Sequence, residues 1–230
     1  MIQHINTCGE SPQLPPRASG QIKSRERVTA HGEVFTHPRE VNAMLDMVKP
    51  ETERLDSRFL EPTCGDGNFL IEILRRKLAV CRQRAEEGKY TQLQYEQNAV
   101  LAVSSLYGIE LLADNVAACR ARLADYFGSQ YAELYGAQCK RECATSVEYL
   151  LEKNIIHGDA LSYRRADRPK EWIVVSEWSM IGQGMVNRRD YEFSYLVGDS
   201  AESDLFSDLP CAVYPPVYFL NLNRQSYGEE

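Results

Sequence analysis

Several things are missing from this sequence, and each absence excludes a class. It has no apolar run of the roughly 18 or more residues that a spanning helix needs, so no membrane segment is expected. Its first residues, Met1 to Gly20, are polar and hold three prolines; they lack the charged start and apolar stretch of a signal peptide and read as a mobile arm. No CxxC pair occurs among the seven scattered cysteines. Cys139 and Cys143 would share a helical face, but two thiols alone do not hold a metal. Free thiols in a reducing cytosol, a cytoplasmic location and no metal site are the expectation. Positive charge is also short: the net charge is -7, which argues against nonspecific nucleic-acid binding by the whole surface. A local basic face remains open at Arg75-Arg76-Lys77, Lys140-Arg141, Arg164-Arg165 and Arg188-Arg189, which read equally as solvated surface charges. No internal repeat or long low-complexity tract is found. What is present is 43% hydrophobic residues over 230 positions, enough for one domain of generous size, or one with appendages.

Periodicity gives the order of elements. Pro38 to about Val48 is helical by the spacing of Val41, Met44, Leu45 and Val48; Pro38 suits a first turn and Pro50 ends the pattern. Arg58-Phe59-Leu60 reads as a short buried strand. A helix runs from Asn68 to about Ala85. Glu86 to Asn98 is polar, a loop or a loosely attached helix, and Ala102 to Ile109 reads as a second strand. Asp114 to Tyr126 and Glu142 to Leu151 are helical. Asn154 to His157 is a third strand, ending at Gly158-Asp159, and Trp172 to Val175 a fourth. Asp190 to Val197 is expected to complete the sheet, Asp199 to Asp208 to form an acidic loop, and Tyr214-Pro215-Pro216-Val217-Tyr218 an extended tail segment. Strands alternating with helices imply parallel βαβ units and an α/β fold.

Three strand ends carry candidate chemistry. In Glu61-Pro62-Thr63-Cys64-Gly65-Asp66-Gly67 a strand runs through a tight turn into a helix; glycines let backbone approach a ligand there, and helix N-terminal N–H groups can meet a carboxylate. Glu110, ending the second strand, is placed to accept both hydroxyls of a ribose, with Leu111 against an adenine face. Asp159, ending the third, can accept the exocyclic amine of adenine. For Glu61 and Asp159 the plain alternative is helix capping or loop solvation. Cys64 reads as a small residue in a crowded turn rather than a nucleophile. The spacing G-x-G-x-x-G of dinucleotide oxidoreductases is absent, because Leu70 stands where the third glycine would be.

These motifs, in this order, resemble the N6-adenine DNA methyltransferases of restriction–modification systems, which carry an E-P-x-C/A-G-x-G-x-F turn, a G-I/V-E-L/I strand end and a G-D-A/S-L strand end. An upstream family segment, G-x-F/V-F/Y-T-P, stands here as Gly32-Glu33-Val34-Phe35-Thr36-His37-Pro38, with His37 inserted. The resemblance covers about Arg27 to Leu161. It implies a Rossmann-like class I methyltransferase fold, a mostly parallel central sheet flanked by helices, that binds S-adenosylmethionine (AdoMet) and releases S-adenosylhomocysteine. It implies a cofactor set of Val34, Phe35, Thr36, Glu61, Thr63, Cys64, Gly65, Gly67, Phe69, Glu110, Leu111, Asp159 and Ala160. Within it Phe35 and Thr36 touch the methionine, Glu61, Cys64 and Gly65 line methionine and ribose, Glu110 binds the ribose and Asp159 the adenine amine. The implied division is an arm over 1–26, the methyltransferase domain over 27–200, and a tail closing on it over 201–230. The implied reaction is direct in-line transfer to adenine N6, by positioning and electrostatics, without a metal or covalent intermediate.

The pattern breaks at the catalytic step. The family's D/N/S-P-P-Y/F/W motif after the fourth strand, where a flipped base stacks and donates its amine, is replaced by Ser176-Glu177-Trp178-Ser179. Three readings stand open. Ser176, Glu177 and Trp178 do the work differently, with Trp178 stacking and Glu177 accepting; or the domain keeps its cofactor without methylating bases, as a partner or regulatory subunit of a restriction–modification or phage-defence system; or the acceptor is not a DNA base. Little chain after the fourth strand remains to read DNA, so any specificity is expected from a separate recognition subunit.

Overall fold

In this computed structural model the described residues are 23–31, 33–197 and 209–224. The chain divides into two compact units, Met1–Thr36 and His37–Glu230. In the first, helix α1 (Arg25–His31) starts at Ser24, whose hydroxyl accepts from the Arg27 N–H. Arg27 then pairs with Glu33 at 2.8 Å, and Lys23 lies over the Phe35 ring.

The second unit opens with α2 (Pro38–Asp46), capped by the His37 ring nitrogen and buried along Val41 and Leu45. Pro50 does not simply end this pattern. It sits in the first turn of a new short helix, α3 (Lys49–Glu53), where a missing N–H costs nothing. Strand β1 (Phe59–Glu61) leads through the glycine turn into α4 (Asn68–Glu86). The next segment departs from expectation. Residues 87–91 are turn, the helix that follows is firmly packed rather than loose, and Ala102–Ser104 is not strand: α5 (Gln92–Ser104) has Tyr95, Ala99, Val100, Ala102 and Val103 buried. A reciprocal cap between Thr91 and Gln94 starts it, and it packs against both α4 and the helix over Arg141–Asn154.

Strand β2 (Leu106–Glu110) is buried throughout. α6 (Ala113–Tyr135) runs past the expected end at Tyr126 because Phe127 and Tyr131 extend its buried face. A 3-10 turn (Gly136–Gln138), α7 (Arg141–Asn154) and β3 (Ile155–Asp159) follow. β1, β2 and β3 pair in parallel, and β4 (Arg164–Arg165) adds an antiparallel edge beside β3. The molecule is therefore mixed α/β, with a parallel-containing sheet flanked by helices.

The expected fourth parallel strand is absent. Trp172 bridges to Arg164, and Ile173 exchanges main-chain bonds with Tyr163 and Phe193. The strand proper is β5 (Val174–Met180), which joins a separate antiparallel sheet, β5-β6-β7, with β6 (Met185–Glu192) and β7 (Ala212–Tyr218). Its pattern explains this: from Ser176 onward, Ser176 and Trp178 are buried and Glu177 and Ser179 less so, the alternation of a sheet with one face on the core. Of the segment expected to complete the sheet, Asp190–Glu192 is strand, but Phe193–Val197 forms α8. The paired prolines, expected in an extended segment, are part of β7, an edge position where lost N–H groups are tolerated. The expected acidic loop, Asp199 to Asp208, lies outside the described residues. The chain returns on a 3-10 segment (Phe219–Arg224) that buries Phe219 and Leu222.

Among the described residues no helix is long and apolar enough to cross a membrane, and no group of His, Cys, Asp or Glu is arranged to hold a metal. Six cysteines there are free thiols; Cys139 precedes α7 rather than sharing a helical face with buried Cys143.

Candidate cofactor site

The parallel register sets the site. Glu61 stands beside Gly108, and Glu110 beside His157, so the C-terminal ends of β1, β2 and β3 lie side by side, where open α/β sheets bind ligands. The turn after β1 is anchored at Cys64, whose N–H donates to the Ile109 carbonyl at 3.0 Å. Gly65 and Gly67 have φ of 54° and 87°. At Gly67 a side chain is barred twice, since its Cβ would also stand 2.6 Å from the Cys119 sulfur. Gly108 is the matching close approach on β2: a Cβ there would meet the Cys64 sulfur at 2.8 Å.

Glu110 is the buried carboxylate of this corner, 8% exposed. One oxygen accepts from the Gly65 N–H at 2.9 Å, the other from the Leu112 N–H at 2.9 Å and the Asn115 amide at 3.4 Å. A carboxylate has about four acceptor positions, so a further donor can be taken. Leu111 beside it is 47% exposed, an apolar surface at the mouth, and its carbonyl lies 2.9 Å from His157 Nε2.

Glu61 is of a different kind. It is half-buried and makes no hydrogen bond or ion pair among the described residues; burial pushes its carboxyl up to about 7. An unpaired carboxyl held out of water at a strand end suits a cationic group. Asp159 is held below the usual carboxylate range by the Ser162 hydroxyl at 2.7 Å and the Leu161 N–H at 2.9 Å. It stays an ionised acceptor, and the loop-solvation alternative accounts for these two bonds equally well. The Cys64 thiol is pushed upward by the Cys119 thiol and by burial, which leaves no thiolate for nucleophilic chemistry. Thr63 is exposed, Phe69 packs against the main core and Ala160 against a smaller cluster around Ile156 and Ile173. Val34, Phe35 and Thr36 belong to the Met1–Thr36 unit.

The residues expected to carry catalysis are arranged otherwise. Trp178 is 5% exposed, and its indole N–H donates to Asn154 at 2.8 Å within the main core; its ring offers no face to a base. Ser176 is buried, donating to Asp190 and accepting from Arg188. Glu177 pairs with Arg58 at 2.7 Å and accepts from the Tyr191 hydroxyl. It opens on a groove of about 500 Å³ lined also by Leu60, Tyr107 and Leu196. Ser176 also lines this groove, but Trp178 is packed in the core, so the three do not converge on one substrate.

The basic runs are largely consumed. Lys77 is fully buried, donating to the Leu55 and Ser57 carbonyls and the Ser105 hydroxyl, and burial lowers it to about 8. Arg76 pairs with Asp46 and Glu72, Lys140 with Glu96, Arg165 with Asp167 and Arg188 with Asp190. The site also contains residues that the motifs did not single out: Asn115 on Glu110, and Arg122, which donates to the Asp66 carbonyl at 2.7 Å. The signal available was the spacing of Asn115, Cys119 and Arg122 along one face of α6.

Compared with known proteins, the chain matches no family model, no curated protein and no solved structure.

Proposed function

We propose that this chain is an AdoMet-binding domain of the Rossmann-like, adenine-specific DNA methyltransferase type. One observation carries the reading: the glycine turn, Glu110 and Asp159 stand on three adjacent parallel strand ends, with the Gly65 N–H already on the Glu110 carboxylate. The residues present fit the group. Glu61, a carboxyl with an elevated proton affinity and no ion pair among the described residues, would hold the ammonium group of the amino-acid end. The first N–H groups of α4, which has no side-chain cap at Gly67, would meet its carboxylate. Glu110 would hold the ribose, Leu111 the adenine face and Asp159 the adenine amine. When bound, AdoMet supplies an activated methyl group.

A second reading is favoured by Ser176 and Trp178, which are locked in the core: the chain is a cofactor-binding partner or regulatory subunit, and base methylation at adenine N6 needs residues or a recognition subunit from elsewhere. Calorimetric titration with AdoMet, S-adenosylhomocysteine and NAD tests cofactor class. AdoMet and its product should bind and NAD should not, and Glu110→Ala should weaken AdoMet by roughly 1–3 kcal/mol. Binding of NAD alone, or no loss at Glu110→Ala, would remove the assignment. Labelled AdoMet with varied DNA then separates the readings: label on DNA from this chain alone supports the enzyme, and label only with a partner supports the subunit.

A further inference from the structure

We infer that the inner face of α6 sets the shape of the glycine turn, and that Arg122 is the positioning residue for the amino-acid end of the cofactor, an inference that rests on the AdoMet reading above. Asn115, Cys119 and Arg122 are spaced so that one helical face presents all three. Each meets a different point of the site. Asn115 donates to Glu110. Cys119, fully buried, places its sulfur 2.6 Å from where a Cβ on Gly67 would stand. Arg122 donates from Nη1 to the Asp66 carbonyl at 2.7 Å and to Asn68 Oδ1 at 3.3 Å, and pairs with the Asp66 carboxylate at 3.0 Å. It therefore grips the chain on both sides of Gly67.

The bond to the Asp66 carbonyl matters most, because that carbonyl and the Gly67 N–H share one planar peptide. Turning the carbonyl toward Arg122 turns the N–H the other way, where it donates to the Cys64 carbonyl at 2.8 Å. That bond closes the turn and fixes the direction in which α4 starts. Arg122 thus acts on the cofactor through the Asp66 and Asn68 side of the turn, where the amino-acid end would lie. The ribose and adenine ends would rest on Glu110 and Asp159.

The test compares two ligands. AdoMet carries the amino-acid end; 5′-methylthioadenosine keeps the nucleoside and lacks it. With Arg122→Gln, AdoMet affinity should fall by about tenfold or more, as expected for loss of a charged donor, while 5′-methylthioadenosine affinity stays unchanged. Arg122→Lys, which keeps the charge but not the fork, should fall between. If Arg122→Gln does not fold, Asp66→Asn, which keeps the main-chain carbonyl, should show a smaller loss of the same selectivity. A merely structural role would weaken both ligands together, and that result, or unchanged AdoMet binding, overturns the inference. Failure of the unaltered protein to bind AdoMet at all overturns instead the reading beneath it, and the inference falls with it.

Discussion

Glu61 is a carboxyl that burial has made costly to ionise, with nothing beside it among the described residues to offset that cost. Its folded-state proton affinity lies above the unfolded one, so the folded protein binds more protons between about 4.5 and about 7. Stability from this group is therefore complete at low pH and is lost as pH rises through about 7. A cationic ligand needs the opposite state. AdoMet affinity should then fall about tenfold per pH unit below 7. The ligand's own α-amino group titrates near 7.7–8.0, so the window from about pH 5.5 to 7 isolates Glu61. Glu61→Gln should flatten the profile there, weaken binding at pH 7.5 and raise the melting temperature of the ligand-free protein at pH 8. Calorimetry across the window and melting curves at the two ends check this. A profile unchanged by Glu61→Gln would show that no cation is held there.

Among the elements, strand β2 and the glycine turn are fitted to within a single methyl group. A Cβ on Gly108 would stand 2.8 Å from the Cys64 sulfur and 3.0 Å from a Leu70 methyl carbon. Gly108→Ala should cost about 1–3 kcal/mol, the usual range for overpacking. Adding Cys64→Ala removes the sulfur and should return part of that loss, with a coupling of at least about 0.5 kcal/mol in a denaturation cycle; strict additivity would mean that the two do not touch. This fit was half legible in the sequence. The glycines between a strand and a helix announced a close approach, and β1, β2, β3 with their acidic ends lie where the motifs put them. Unannounced were the partners that shape the turn, because Asn115, Cys119 and Arg122 stand on a helix remote in sequence. α5 was hidden for another reason: its polar first turn looks like a loop, and its stability comes from a cap and from residues buried against other helices. β5 was misplaced because Trp172 to Val175 is apolar enough for a buried parallel strand. The alternation that identifies its real sheet begins only at Ser176.

At the scale of the whole molecule, charge decides what the chain can do by itself. A net charge of -7 opposes approach to a polyanion, and the basic runs that would offset it locally are mostly spent. Lys77 is in the core, Arg188 is in a buried pair with Asp190, and Arg76, Lys140 and Arg165 each face a carboxylate. Nonspecific DNA binding scales with the phosphates that free cations neutralise and typically gives dissociation constants of 10⁻⁴–10⁻⁶ M at physiological salt. This chain should lie at or beyond the weak end of that range. In fluorescence anisotropy with a labelled duplex at about 0.15 M salt, no saturation is expected below about 100 µM protein, with or without AdoMet. Tight binding by the chain alone would show that the cations retained at the surface form a working DNA face, and would return weight to an independent enzyme. If a recognition subunit supplies the contacts, binding and its steep salt dependence should appear together only in the complex. The salt slope of that complex should follow the partner's basic residues, and should stay the same when Arg164 or Arg189 of this chain is replaced by alanine.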